Sequence, residues 1–262
     1  MKNINKLLII IIILLIVLLF YNKNYIYSKL YENKKYNVAV IIHGYAPRSF
    51  KYTYESIEQN IIKTLRINHN VNVYHYSLLS RDNKIHSSRS EENDIYINNH
   101  DSKLLKCTKL ETEYQEDINI YNNINCTDYK EKNMNLNFMR SLNSELECTK
   151  RFPLYNYDVS VMVSSDSLIL KKINEKEIKD CYISNCLYTT DFNQWGGIAN
   201  GFYIAPPNIL YKICTRYNNF PDWCSKNKNK NAEKFLKYII LKNNIINKNR
   251  AIIKFIIFKE LA

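Results

Sequence analysis

Side chains that can bind phosphate follow the first β-branched run of the sequence. The run Tyr36–Ile42 reads as a strand buried on both faces of a parallel sheet, and His43, Gly44 and Arg48 come after it. In open α/β sheets, ligands bind at the carboxyl ends of strands, where helix N-termini present backbone N–H groups. Arg48 can hold a diphosphate through two parallel hydrogen bonds. This loop is therefore a candidate diphosphate site, and an ordinary turn with a surface arginine is the alternative.

A carboxylate and three hydroxyl groups follow a second strand-like run. Tyr157–Val163 is mostly apolar and ends in Ser164-Ser165-Asp166-Ser167. A carboxylate at the end of a buried strand can hold one face of a hydrated Mg²⁺ or Mn²⁺, whose other ligands are phosphate oxygens and water. Asp166 is therefore the candidate metal ligand. The alternative is that it caps a helix.

The elements that position the first loop form a strand–helix–strand unit. Apolar residues recur at helical spacing over Tyr52–Leu65, with Thr53 as the expected N-cap residue. A second strand is predicted at Val71–Tyr76. A strand, a helix and a strand in this order predict a right-handed crossover in an open α/β sheet.

The rest of the chain supplies further elements of a single domain. A helical face is formed by residues spaced three or four apart from Leu136 to Leu146. We expect residues 36–262 to be one α/β domain with a mostly parallel central sheet, because no repeat or low-complexity linker divides them. The later predicted elements are a strand at Gly201–Ala205, helices at Asn208–Tyr217 and Ala232–Leu241, and a closing strand at Ala251–Phe258.

A third segment carries a distinctive order of residues, Asp191-Phe-Asn-Gln-Trp195-Gly-Gly-Ile-Ala-Asn200-Gly-Phe202. Together with the strand that ends at Asp166 and the opening Ile42-His43-Gly44 with Arg48, it resembles the core of glycosyltransferase-like proteins found in large DNA viruses and microbes. Asn231-Ala-Glu233-Lys-Phe-Leu236 is similar to the late helix of that group. The resemblance covers residues 36–76 and 155–258.

The resemblance implies a GT-A-like fold with a single Rossmann-type domain, and transfer of a sugar from a nucleotide-sugar to a glycan or glycoprotein. His43, Gly44 and Arg48 would then bind the nucleotide, and Mn²⁺ or Mg²⁺ would bind at Asp166. GT-A enzymes usually carry an Asp-x-Asp metal motif, whereas Ser164 stands two residues before Asp166 here. This departure leaves metal dependence open. It also makes a catalytically inactive glycan- or nucleotide-binding membrane protein the alternative.

The Trp195 segment has the side chains of a sugar site. An indole face stacks on a pyranose ring, Gly196 and Gly197 let the backbone approach closely, and Asn200 can bond sugar hydroxyls. These residues are therefore candidate sugar ligands; Trp195 in the core is the alternative. Asp191 and Glu233 are the candidates for the base that deprotonates an acceptor hydroxyl. Glu233 also suits a helix start without any catalytic role.

An apolar stretch near the amino terminus predicts a membrane anchor. Leu7–Phe20 is uninterrupted and apolar, so residues 1–21 are read as a transmembrane signal anchor and residues 22–35 as a stem. A cleaved signal peptide is the alternative, but no small-residue cleavage site follows the stretch. A single-pass protein with a lumenal domain is expected. Two lysines and the amino terminus precede the stretch and four lysines follow it, so the positive-inside rule alone favours the opposite orientation, and the topology stays open.

Seven cysteines fit a lumenal location, where some of them would pair. The nearest candidate pairs are Cys181 with Cys186 and Cys214 with Cys224. Their spacings do not match the tight CxxC pairs of structural zinc sites.

The formal charge of +12 allows an anionic partner. The lysines are spread along the whole chain rather than gathered on one element, so the pattern does not indicate nucleic-acid binding. Scattered basic charge would also suit a scaffold at a membrane surface, which is a third hypothesis beside the transferase and the inactive binding protein.

Overall fold

The computed structural model describes residues 11–15, 17–18, 34–82, 84–85, 95–120, 132–191, 194–226, 231–250 and 253–255. The chain divides into two compact units, Met1–Lys35 and Tyr36–Ala262. In the first unit, residues 11–15 and 17–18 are helical. Over the described ranges, no helix has the length and apolar character needed to cross a membrane. Most of the expected anchor and stem lies outside the described residues, so both remain predictions.

The second unit is built on a seven-stranded sheet. Its strands are β1 (Asn37–Gly44), β2 (Asn70–Leu79), β5 (Lys109–Tyr114), β6 (Val159–Ser164), β8 (Leu187–Thr190), β9 (Phe202–Ala205) and β10 (Asn247–Arg250). Their order in the sheet is β10-β8-β9-β6-β1-β2-β5. β1 is parallel to both β2 and β6, β2 is parallel to β5, and β8 is parallel to β10, whereas β9 runs antiparallel to β6 and β8. The predicted α/β class with a mostly parallel central sheet is confirmed.

Two short antiparallel pairs lie beside the main sheet, β3 (Lys84–Ile85) with β4 (Ile95–Tyr96) and β7 (Ser167–Ile169) with β11 (Ile253–Phe255). The predicted closing strand at Ala251–Phe258 therefore exists in part, but it pairs with β7, and β10 occupies the edge of the main sheet.

Helices cover both faces of the sheet. They are α1 (Ala46–Ile57), α2 (Lys132–Arg151), α3 (Glu175–Ser184), α4 (Pro207–Cys214), α5 (Phe220–Lys226) and α6 (Ala232–Lys242). On one face, α1 packs against alternate residues of β1, with Phe50 and Ile57 meeting Val40 in one buried cluster. On the other face, Leu142 and Leu146 of α2 pack against the opposite side of β1. α1 continues as a π-helix over Glu58–Lys63 and a last turn at Thr64–Arg66.

The expected start of the first helix is wrong. The helix begins at Ala46, six residues before the predicted start at Tyr52, with Tyr45 as its N-cap residue. Pro47 favours this early start, because proline fits the first turn of a helix. Thr53 lies inside the helix, and its hydroxyl donates to the carbonyl of Ser165 at 2.6 Å. Thr53 thus ties α1 to the end of β6.

The expected disulfides are also wrong. Cys181, Cys186 and Cys214 are free thiols, whereas Cys224 is disulfide-bonded. The thiol of Cys214 contacts the sulfur of Met162 at 3.5 Å, deep in the core, and the thiol of Cys181 donates to the carbonyl of Ile204 at 3.1 Å. Burial raises the pKa of the Cys214 thiol and keeps it protonated.

Candidate functional site

The carboxyl ends of four parallel strands meet at one edge of the sheet, which we call the carboxyl edge. β1 ends there at Gly44, β2 at Leu79, β6 at Ser164 and β8 at Thr190. Because β9 is antiparallel, it begins at this edge, and the backbone N–H of Ser164 donates to the carbonyl of Gly201 at 2.8 Å. Three predicted ligand segments, those at Gly44, Asp166 and Asp191, therefore open at a single edge.

The crevice between β1 and β6 is the topological switch point of the sheet. From β1 the chain passes through α1, on one face, to β2 on one side. It later returns through α2, on the other face, to β6 on the opposite side of β1. Strand order reverses here, and at such a point in open α/β sheets the loops diverge from the two strand ends to leave a crevice. Such a crevice is where open α/β sheets bind their ligands.

Arg48 and Asp166 meet across this crevice. Nη2 of Arg48 lies 3.2 Å from Oδ2 of Asp166, and about a third of each side chain is exposed, 34% in both cases. The hydroxyl of Ser164 donates to Oδ1 of Asp166. The backbone of Ser165, next to Asp166, is held by two further hydrogen bonds. Its N–H donates to the carbonyl of His43 at 2.8 Å, and its carbonyl accepts from the hydroxyl of Thr53. Two residues predicted separately from sequence are thus direct partners.

The arrangement around Asp166 bears on metal binding. Both of its carboxylate oxygens are engaged, one by Ser164 and one by Arg48. A divalent cation prefers several oxygen ligands, and here a guanidinium takes the place that the cation would need. Within the described residues, no three His, Cys, Asp or Glu side chains are grouped closely enough to hold a metal ion. The side chains at Asp166 thus do not fit a cation in this arrangement, and its metal role stays a prediction.

The start of α1 is suited to an anion. Gly44 has a φ of +109°, which a residue with a side chain rarely adopts, and a Cβ there would lie 3.4 Å from Oγ of Ser165. Within this described segment, the side chain of Tyr45 makes no hydrogen bond to the first turn, and that turn contains no acidic residue. Its N–H groups therefore keep their partial positive charge for a ligand.

Two buried hydroxyl groups border the same turn. Ser49, in the first turn of α1, and Ser165, beside Gly44, are 4% and 1% exposed, and neither Oγ has a hydrogen-bond partner among the described residues. Nε of Arg48 is also buried, and no residue in the described part of the chain is its hydrogen-bond partner. Unsatisfied buried donors are costly, and an anion bound in the crevice would satisfy them.

His43 lies beneath the crevice rather than on its surface. Its side chain is completely buried, and Nδ1 is hydrogen-bonded to Oγ of Ser144 on α2 at 2.9 Å. Burial lowers the pKa of His43, so that the ring is neutral near pH 7. The ring is thus placed to support the crevice floor, and direct contact of His43 with a nucleotide remains a prediction.

A buried ion pair supports the same floor. Arg216 and Glu145 are completely buried and joined by two hydrogen bonds, of which Nη2 to Oε1 measures 2.9 Å. The hydroxyl of Tyr203 bonds both, and it also accepts the N–H of Gly201 at 3.2 Å. The pair therefore fixes the start of β9, which follows the Trp195 segment in the chain. Sequence reasoning missed it because the two charges are 71 residues apart.

The Trp195 segment rests on the start of α6. The side chain of Trp195 is 70% exposed, which excludes the alternative that it is a core residue. The carbonyl of Trp195 accepts from Nδ2 of Asn231 at 3.3 Å, and the N–H of Ile198 donates to the carbonyl of Glu233 at 3.0 Å. A Cβ at Gly197 would lie 2.1 Å from backbone atoms of Glu233. An exposed indole is thus presented on a segment fixed to a helix.

The remaining predicted residues lie around this segment. Asp191 is exposed and follows β8 directly, while Asn200 is half-buried and precedes the start of β9. Since only β9 separates β6 from β8, the strand ends that carry Asp166 and Asp191 lie roughly 10 Å apart. Glu233 is half-buried in the first turn of α6, whose N-cap residue is Asn231. The sugar-binding and base roles remain predictions.

A cavity of about 370 Å³ lies away from these residues. It is lined in part by Leu65, His69 and Asn174, next to the start of β2 at the opposite edge of the sheet. Nothing in its lining matches the chemistry predicted from sequence, so the carboxyl edge is the better candidate site.

Buried histidine makes the domain sensitive to acid. His75 is completely buried in β2, with its ring 4.8 Å from that of Phe50, and burial is the main reason that its pKa falls from 6.5 to about 3. The unfolded chain takes up a proton as pH drops below 6.5, whereas the folded chain does not, so stability is lost with falling pH. We expect His75 to lower the free energy of unfolding by about 2 kcal/mol between pH 7 and pH 5. Urea unfolding of wild type and His75→Gln at both pH values measures this; identical pH dependence would contradict it.

Comparison with known proteins gives no family assignment. Neither a protein-family model nor a curated protein sequence matches this chain. The residues at the carboxyl edge are therefore the basis for inferring a function.

Proposed function

We propose that this chain is a membrane-anchored, GT-A-like glycosyltransferase that binds a nucleotide-sugar in the crevice between β1 and β6. It transfers the sugar to a glycan or glycoprotein, with its catalytic domain in a lumenal compartment. The proposal draws on the sequence resemblance and on the chemistry of the crevice.

The observation that carries the proposal is the meeting of Arg48 and Asp166 at the switch point of the sheet. Arg48 lies in the first turn of α1, where free N–H groups already favour an anion. A diphosphate entering here exchanges with Asp166 as the partner of Arg48, and its charge is balanced by the guanidinium and the helix N-terminus. This exchange is inexpensive, because a partly exposed ion pair contributes little to stability.

The sugar would lie toward the Trp195 segment. The exposed indole face offers a stacking surface, Asn200 offers hydrogen bonds, and the glycine pair holds the segment close to α6. Asp191, exposed at the end of β8, is the better placed of the two candidate bases, because Glu233 is half-buried in α6. Glu233 holds the segment in place through its backbone carbonyl.

In the proposed reaction, the sugar moves from the diphosphate to an oxygen of the acceptor. The acceptor oxygen forms a bond to the anomeric carbon of the sugar while the bond from that carbon to the diphosphate breaks. The acceptor proton passes to Asp191, and the electron pair leaves on the diphosphate. Arg48 stabilises the charge that develops on the leaving group.

A second candidate function is binding without chemistry. The engagement of both oxygens of Asp166 by Ser164 and Arg48 favours it, because Asp166 then holds an arginine rather than a metal ion at the place of the Asp-x-Asp motif. An inactive relative of this kind would hold a nucleotide or glycan at the same crevice and release no product.

Donor hydrolysis separates the two functions. With the full-length chain in detergent, we expect slow release of UDP or GDP from one nucleotide-sugar, and a loss of at least about tenfold in kcat/KM for Arg48→Gln. Arg66→Gln removes the same charge at an exposed position on the helical turn that follows α1 and is the matched control. Binding without release in wild type would favour the inactive protein.

Asp166→Ala with and without Mn²⁺ tests the metal role. If Asp166 holds a cation, Mn²⁺ raises the turnover of wild type but not of the variant. If Asp166 only positions Arg48, the two proteins respond to Mn²⁺ alike.

A further inference from the structure

Two side chains that the sequence does not mark as ligands lie close together near the end of β1. Tyr45 immediately follows Gly44 and is the N-cap residue of α1. Arg140 belongs to α2, on the opposite face of the sheet, and is near enough to Tyr45 that its positive charge would stabilise the phenolate form of that side chain. The two residues thus bring donors from both faces to the end of β1.

Both side chains hold a buried polar atom that has no hydrogen-bond partner among the residues that the structure describes. Nε of Arg140 is buried without a hydrogen bond to any described residue. The hydroxyl of Tyr45 is buried beside Ser80 but makes no hydrogen bond of good geometry within the described part of the chain. Since native proteins satisfy nearly all buried polar atoms, two such donors together point to a missing acceptor.

The nearby carboxylate is already engaged. Glu116 lies near both residues, but its Oε1 accepts from the hydroxyl of Ser80 at 2.6 Å and its Oε2 from the N–H of Arg81 at 3.4 Å. Glu116 therefore offsets part of the positive charge of Arg140 from a distance. It accepts no hydrogen bond from Nε of Arg140 or from the hydroxyl of Tyr45.

At neutral pH, both side chains carry the protons that they need to donate hydrogen bonds. Burial is the main cause that raises the pKa of Tyr45 to about 12, so its hydroxyl keeps its proton at neutral pH. Burial lowers the pKa of Arg140, but an arginine remains charged in proteins at neutral pH.

We infer that Arg140 and Tyr45 form a second anion subsite, next to the one at the start of α1, for a further phosphate or carboxylate group of the ligand. The inference builds on the proposed function, in which the first anion lies at Arg48. The shared chemistry is an oxyanion, and its source is either the second phosphate of the diphosphate or the carboxylate of an acidic sugar.

Calorimetric titration of the full-length chain with orthophosphate and with pyrophosphate tests the subsite without a nucleotide. Wild type is expected to bind pyrophosphate at least about tenfold more tightly than orthophosphate, because only pyrophosphate reaches both subsites. Arg140→Gln should lose about tenfold to a hundredfold in pyrophosphate affinity and leave orthophosphate binding nearly unchanged. Arg48→Gln should weaken both ligands, and Arg66→Gln neither.

A second pair of probes identifies the source of the oxyanion. If the subsite binds a sugar carboxylate, Arg140→Gln weakens UDP-glucuronate about tenfold or more while UDP-glucose and pyrophosphate bind as in wild type. Tyr45→Phe keeps the ring and its packing, and should reproduce the same selectivity with a smaller loss of about threefold to tenfold. It is the second variant should Arg140→Gln fail to fold.

The outcomes separate this inference from the proposed function. Variants of Arg140 and Tyr45 that bind all of these ligands as wild type does would overturn the subsite and leave the sugar-transfer proposal intact. Pyrophosphate binding that depends on Arg140, in a protein that binds no nucleotide-sugar, would support the subsite and overturn sugar transfer. A wild-type chain that binds none of the probes would overturn both.

Discussion

Replacing Glu145 by alanine is expected to lower the free energy of unfolding by about 3–5 kcal/mol. The substitution leaves the guanidinium of Arg216 completely buried without its carboxylate, while Tyr203 and the carbonyl of Ile213 are the partners that remain among the described residues. Water cannot solvate the charge in its place, so the desolvation penalty is left uncompensated. Urea unfolding of wild type and variant at constant pH measures the difference.

Two matched variants test this reasoning. Glu147→Ala removes a carboxylate two residues along the same helix, where the ion pairs with Lys150 and Arg151 are less buried, and should cost about 1 kcal/mol or less. Glu145→Leu combined with Arg216→Met replaces the buried pair by apolar side chains and should recover most of the loss. A cost for Glu145→Ala as small as that of Glu147→Ala would show that the buried charge does not control stability.

Replacing Gly197 by alanine is expected to cost about 3 kcal/mol of stability, the upper end for an overpacked site, and to weaken sugar binding as well. The new Cβ would lie 2.1 Å and 2.2 Å from the carbonyl carbon and oxygen of Glu233, and 2.4 Å from the N of Lys234. Backbone atoms of a helix cannot move aside as a flexible side chain can, so the Trp195 segment must lift away from α6. Thermal and urea unfolding report the stability, and titration with a nucleotide-sugar reports the binding.

The neighbouring glycine provides the control. Gly196 has a φ of +76°, and the one described atom that a Cβ there would meet is Cε of Lys234, at 3.7 Å. Gly196→Ala therefore pays for backbone strain alone, about 1 kcal/mol, without a clash. Equal costs for the two variants would mean that the close approach of Gly197 to α6 is not what holds the segment.

The strands that form the centre of the sheet could be predicted because their sequences are continuous and apolar. β1 and β6 are buried on both faces, and their β-branched runs match that environment. β5 was missed because it lies at the edge of the sheet, where Lys109–Tyr114 has little buried surface and reads as a polar segment. β8 and β10 were missed because they are short and largely polar, whereas β9, which is equally short, is continuously apolar and was predicted.

The candidate site could be predicted in part for the same reason. Gly44, Arg48 and Asp166 follow strongly patterned strands, and parallel neighbours end at the same edge, so their meeting could be anticipated. The partners of Arg140 and the Glu145–Arg216 pair could not be predicted, because they depend on how α2 packs against strands far away in sequence. A lone arginine on a helix gives no local signal of the residue that it will face.

The binding of a diphosphate at the start of α1 is the claim on which the proposed chemistry depends. A thermal-shift titration of the full-length chain with UDP, GDP and their sugar conjugates tests it most directly, because a ligand that binds only the folded state must stabilise it, by about 2.7 kcal/mol at a hundred times Kd. We predict that at least one of these nucleotides raises the Tm of wild type and of Arg66→Gln, and that the increase is largely lost in Arg48→Gln. An equal increase in Arg48→Gln, or no increase in wild type with any of them, would contradict the account.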